Sequence, residues 1–177
     1  MSRLNDRINN RSKKTRYMVT AALFAAFICL TTAYILHIPI GGKGYVHIGD
    51  AFIYLGATLL PMPYAIFCAA IGAAMADLIT GYAIYIIPTL IIKSILVLFL
   101  TSKTNKIINT RNLLGSFIAG FVGWILYMIA DGIIYGSFTS AFVFSLIGLV
   151  QPIGSFIVFI LIGLALDKLD IKKKYFN

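Results

Sequence analysis

Charge is scarce in this sequence: Asp, Glu, Lys and Arg make up 12% of 177 residues, against 60% hydrophobic. A soluble domain of this length could not hide that much apolar surface, so the shortage excludes one. Cysteine is nearly absent. Cys29 and Cys68 both fall in apolar stretches without a second cysteine at metal or redox spacing, so both read as small packing residues. His37 and His47 are the only histidines, too few to hold a metal, and neither a metal nor a cofactor is expected. The segment GGKGY at 41–45 lacks P-loop spacing, and its lysine is not followed by Ser or Thr, so no nucleotide-phosphate cradle is expected. No small-residue cleavage site follows the basic N-terminal run, so the first apolar stretch is expected to stay in the membrane.

What fills the sequence instead is a series of apolar runs. They lie at roughly 17–38, 51–60, 64–80, 84–101, 113–136 and 141–166, parted by glycine, proline or charged clusters. The second is short for a bilayer crossing, which needs about 20 residues, and Pro61-Met62-Pro63 separates it from the third. Charge decides between five spans and six. With six, the segments holding Arg3, Arg7, Arg11, Lys13, Lys14 and Arg16, then Lys103, Lys106 and Arg111, then Lys168, Lys172, Lys173 and Lys174 fall on one side. The net charge of +9 is therefore read as topology rather than affinity for nucleic acid. The expected fold is an all-α integral membrane bundle of six transmembrane helices with a short second helix and both termini cytoplasmic. It forms one membrane domain over 1–177: a basic N-terminus at 1–16, a bundle at 17–166 and a basic tail at 167–177.

Four ionisable residues break the apolar pattern: Asp50, Asp77, Lys93 and Asp131. A charge at membrane depth costs about 2.5 to 3.5 kcal/mol on insertion scales, so each needs a compensating reason. In the six-span topology all four fall in the outer half. Asp50 follows Gly49 as a helix cap at the start of the second run. Asp77 and Asp131 lie near C-terminal helix ends and Lys93 near an N-terminal one, each the wrong sign for the helix dipole. Partners are therefore expected, with Asp77 the first choice for Lys93 and Asp131 the second. Asp131 also belongs to a stripe with Trp124, Tyr127 and Tyr135, spaced by three and four on one helix face. That stripe reads either as an interfacial aromatic belt or as a ring-stacking wall. Tyr82 and Tyr85 flank the turn before the fourth run, and Gln151 with Pro152 interrupts the sixth, freeing a backbone carbonyl beside an amide. The loop PIGGKGYVHIG from Pro39 to Gly49 has the glycines of a lid and carries Lys43, Tyr45 and His47. On the first run, Ala21 with Ala25 and Ala22 with Ala26 form overlapping small-xxx-small pairs, suited to close helix approach within the bundle or with a partner.

The stretch from Gly44 to Lys93 resembles the substrate-binding S components of energy-coupling factor (ECF) vitamin transporters, in the branch of riboflavin-type and related small-vitamin members. HIGD opening the second run, AxxxD before Gly-Tyr, and Pro-Thr…Lys of the fourth run carry the resemblance. It implies a bacterial cell-membrane protein that captures a vitamin or precursor at the outer face and topples in the bilayer against a transmembrane coupling subunit joined to two ATPases. ATP hydrolysis would then belong to those partners, and this chain would not be an enzyme. Ala21, Ala22, Ala25 and Ala26 would be the docking surface, and Tyr45, His47, Tyr85, Lys93, Trp124, Tyr127, Asp131, Tyr135 and Gln151 the substrate-binding residues. The absence of an opening Met-His pair disfavours nickel or cobalt. Three acids against one lysine favour a neutral or weakly cationic heterocycle, pyridoxine-like or thiamine-precursor-like, with riboflavin also in range.

Two other readings use the same residues differently. A stand-alone ion-coupled carrier would use Asp77, Asp131 and Lys93 as a relay, yet no inverted repeat or paired half-helices are present. An intramembrane hydrolase would need a base near Ser94, Ser116, Ser145 or Ser155, and none lies within a helical turn.

Overall fold

The computed structural model describes residues 2–35, 37–39 and 45–176, with residues 2–8, 39 and 45 described by their backbone alone. Helix α1 (Ser2–Ala33) is followed by α2 (Asp50–Leu59), α3 (Met62–Ile79) and α4 (Ile86–Val97), the last entered through a 3₁₀ turn at Ala83–Tyr85. Then come α5 (Thr110–Ile134), α6 (Phe138–Gly148), α7 (Val150–Lys168) and α8 (Ile171–Tyr175). Between α1 and α2, strands β1 (Ile38–Pro39) and β2 (Tyr45–Val46) pair antiparallel, Ile38 opposite Val46. Lys43 and most of the lid-like glycines lie outside the described residues.

Four stretches are long and apolar enough to cross a bilayer: Asn9–Ala33, Met62–Ile79, Thr110–Ile134 and Phe138–Lys168. The fourth runs through α6 and α7. Two apolar segments, Asp50–Leu59 and Ala83–Val97, are shorter than a crossing requires. The molecule is thus a helical membrane bundle.

Several boundaries differ from the sequence-based expectation, each for a local reason. The helix of α1 continues back through the basic run, where Arg and Lys are good helix formers, instead of starting near 17. It ends at Ala33 rather than 38. There Thr31 Oγ1 donates back to Phe27 O at 2.7 Å, a bond that weakens helix continuation, and β1 takes over. The fourth run stops at Val97, with Leu98, Phe99 and Leu100 making tight i to i−3 bonds in place of helical ones. Lys93, seven positions beyond Ile86, is therefore about two turns into α4 and not near its N-terminal end. The sixth run divides at Leu149, whose N–H bonds Leu146 O at 3.3 Å. Pro152 has no N–H to offer Gly148 four positions earlier, which explains the break.

Small residues hold the bundle together. Along α3, Ala65, Ala69, Ala73 and Ala76 are buried, and the helix packs on α1. A Cβ on Gly72 would lie 2.6 Å from the Ala25 carbonyl, so only glycine allows these backbones to approach so closely. Cys68 is buried in the same layer with Sγ donating to Ala65 O, while Cys29 is half-buried. At the end of the bundle where α7 finishes, Asp167 accepts from the Ile107 and Ile108 N–H groups at 2.8 and 2.9 Å. Asn109 then caps α5, accepting from Asn112 N–H at 3.1 Å, so the entry to α5 is clamped to α7.

Candidate functional site

Away from that clamp, the ends of α2, α3 and α5 meet the α6–α7 break around one cavity of about 130 Å³. That is roughly ten times what a single water needs on the same scale, so the space suits a small molecule. Its walls include His47, Asp50, Asp77, Tyr85, Asp131 and Gln151, with Trp124 and Tyr127 as aromatic surfaces. Three of the four anomalous charges therefore line a single space.

The fourth, Lys93, stands directly behind it. Its Nζ lies 2.6 Å from Asp50 Oδ1, and the two residues are only 2% and 4% exposed. Expectation and structure part here: Lys93 pairs with Asp50, not with Asp77 or Asp131. Nor is Asp50 the helix cap. Gly49 holds that position without a side-chain cap bond, and the first-turn Asp50 carboxylate turns inward toward Lys93. The other carboxylate oxygen of Asp50 accepts from Gln151 Nε2 at 2.9 Å, joining α4, α2 and α7 in one chain of bonds. Lys93 Nζ also lies 5.0 Å from the centre of the Tyr127 ring, within cation–π range.

The aromatic residues are fixed from behind. Trp124 Nε1 donates to the Ser145 carbonyl at 2.6 Å, pinning the indole to α6. Tyr127 OH and Thr89 Oγ1 share a hydrogen bond of 2.9 Å. The Tyr85 hydroxyl donates to Asp131 Oδ1 at 2.5 Å and lies 3.5 Å from Tyr135 OH. Ordered rings of this kind give a stacking surface with little left to immobilise on binding. His47 is buried rather than at the surface, and its Nδ1 accepts the Gly49 N–H at 2.9 Å, so the neutral ring carries its proton on Nε2.

The expected binding residues thus fall into three groups. His47, Tyr85, Trp124, Tyr127, Asp131 and Gln151 line the cavity. Lys93 and Tyr135 stand one bond behind it, and the side chain of Tyr45 lies outside the described residues although its backbone forms β2. Sequence reasoning missed Gly120, Gly123, Phe144 and Ser145, which also line it. A signal for the glycines existed: Gly120 and Gly123 precede Trp124 on α5, and small residues beside an aromatic stripe leave room. A Cβ on Gly120 would stand 2.8 Å from Pro152 Cβ. Phe144 and Ser145 carried no such signal, because which face of α6 turns inward is set by the break at Leu149.

The alanine pairs of α1 separate as well. Ala21 is buried, and the half-buried Ala25 backs onto Gly72 of α3, so this pair faces the inside of the bundle. Ala22 and Ala26 are exposed.

Comparison with curated proteins and with solved structures gives no match. A family model described as ECF-type riboflavin transporter, S component, matches residues 12–169, from the basic stretch of α1 to just past the end of α7. This chain therefore belongs to the ECF-type riboflavin transporter S component family, the substrate-binding subunits of vitamin uptake.

Proposed function

We propose that this chain captures riboflavin, or a closely related flat vitamin, at the outer face of the membrane and delivers it through an ECF coupling module. The cavity carries this reading: ordered Trp124 and Tyr127 surfaces beside carboxylates and an amide, at one end of an apolar bundle. Flat rings stack on such walls, and polar edges find partners at Asp77, Asp131 and Gln151. The pairing of Lys93 with Asp50 takes that carboxylate up inside the protein and leaves Asp77 and Asp131 as the cavity's acidic acceptors, suited to the N–H and O–H groups of a ring system. The family description points the same way.

In this reading the two short apolar segments join the four long ones as six membrane passes, shielded by their neighbours where they fall short. The basic clusters put both termini in the cytoplasm. The cavity then opens outward, and substrate crosses when the bundle topples against a transmembrane coupling subunit driven by two ATPases. Exposed Ala22 and Ala26 are the part of α1 suited to close approach by that subunit.

The test is direct. The chain is purified from cells grown with a vitamin mixture and denatured, and released small molecules are identified by mass spectrometry. Riboflavin or another flavin in near-equal amount to protein is the expected result. Release of pyridoxine or a thiamine precursor would keep the capture role and change the substrate, while absence of any vitamin would overturn the reading.

A further inference from the structure

Gln151 is the only glutamine in the chain. A side-chain amide is ambivalent, since a half-turn exchanges its carbonyl for its NH₂. At Gln151 the choice is made by its neighbour. Asp50 Oδ2 is 2.9 Å away, and a carboxylate has lone pairs but no proton to give, so the group facing it is the NH₂. Turning the amide over would set oxygen against oxygen beside a buried charge and leave the carboxylate short of a donor. The other Asp50 oxygen is bonded to Lys93 Nζ at 2.6 Å, which holds the carboxylate in place from α4. Among the described residues, the carbonyl oxygen of Gln151 takes no hydrogen bond, and the residue lines the cavity.

We propose that Lys93 and Asp50 are positioning residues that set the polarity of the Gln151 amide, so that Gln151 Oε1 serves as an acceptor-only reader of an N–H or O–H on the ligand. The inference rests on the vitamin-capture reading and deepens it. It makes the α7 wall select ligands by a hydrogen-bond donor on the facing edge. A ligand with an acceptor or a methyl group there leaves a buried carbonyl unmet and is rejected. The lock spans three helices, so the selectivity is written partly in Lys93, which stands behind the cavity wall.

Because Gln151 is unique, glutamine labelled with ¹³C at its side-chain carbonyl, supplied in cell-free synthesis into nanodiscs, reports one group by isotope-edited infrared spectroscopy. Riboflavin is the probe, with binding followed independently by quenching of flavin fluorescence. The Gln151 carbonyl band is expected to move to lower wavenumber as riboflavin saturates. In Asp50→Asn the lock is lost: the band of the free protein is expected to split and riboflavin affinity to fall about tenfold, the equivalent of one hydrogen bond. Gln151→Met, which keeps the bulk and removes the acceptor, should show the same fall should Asp50→Asn not fold. Quenching without any band shift would overturn the acceptor role while leaving the capture reading intact, because an amide that merely ties α2 to α7 would not sense ligand. No quenching by riboflavin in the unaltered chain would overturn the capture of riboflavin and this inference with it.

Discussion

Lys93 and Asp50 carry most of the energetic tension at the residue scale. A buried pair gains from its short contact, yet breaking it by removing one partner leaves a lone charge in apolar surroundings, a cost of about 3 to 5 kcal/mol. Lys93→Met is therefore expected to lower the thermal midpoint of the purified protein by about 10 °C. The double variant Lys93→Met with Asp50→Leu should recover most of that loss; a double variant as unstable as the single one would show that the charge pair is not the cause. Lys172 presents a simpler case outside the spans. Its Nζ is buried and takes part in no hydrogen bond among the described residues, and burial pushes its ammonium down to about 8 against the opposing pull of Asp167. The unfolded chain holds that proton to about pH 10.4, so between about 8 and 10 the unfolded state binds more protons and stability rises with pH. Below about 8 the buried charge is a full penalty. Lys172→Met should thus melt higher than the unaltered chain at pH 7, with the gap narrowing toward pH 10. A gap that stays constant across a calorimetric pH series would contradict this.

Elements explain which of these residues could be foreseen. The aromatic stripe of α5 was legible because a single helix fixes spacing: Trp124, Tyr127 and Asp131 fall on one face whatever packs against it. Pro152 was legible for the same local reason, since a missing N–H breaks a helix wherever the neighbours lie. The pairing of Lys93 was not. Residues 43 positions apart meet according to how α2 and α4 rotate against each other, and the dipole argument assumed Lys93 near a helix start when it lies two turns in. The alanines of α1 show the limit again. Their spacing announces close approach by something, while the side facing α3 is decided by Gly72. This divides the motif into testable halves. Ala22→Trp, on the exposed face, is expected to leave riboflavin binding unchanged and to reduce ATP-driven uptake in vesicles containing the coupling module by tenfold or more. Ala21→Trp should instead destabilise the bundle, since the added bulk meets a packed interior. Equal behaviour of the two would argue against separate faces.

As a whole, the molecule divides its length between two ends with different duties. One end is clamped, with Asp167 bonding the loop before α5 and α8 closing behind α7. The other holds the cavity, where α2, α3, α5, α6 and α7 converge and where three charges meet two aromatic walls. The proposed capture role makes use of that asymmetry: a preorganised pocket at one end of a clamped body. The chain alone should therefore bind its vitamin. Titrating riboflavin against the purified chain in detergent or nanodiscs, with no ATP and no other subunit, and following flavin fluorescence, tests this most directly. Saturable quenching at one flavin per chain, lost in Trp124→Ala, is the expected result; no quenching, or quenching that survives loss of Trp124, would contradict it.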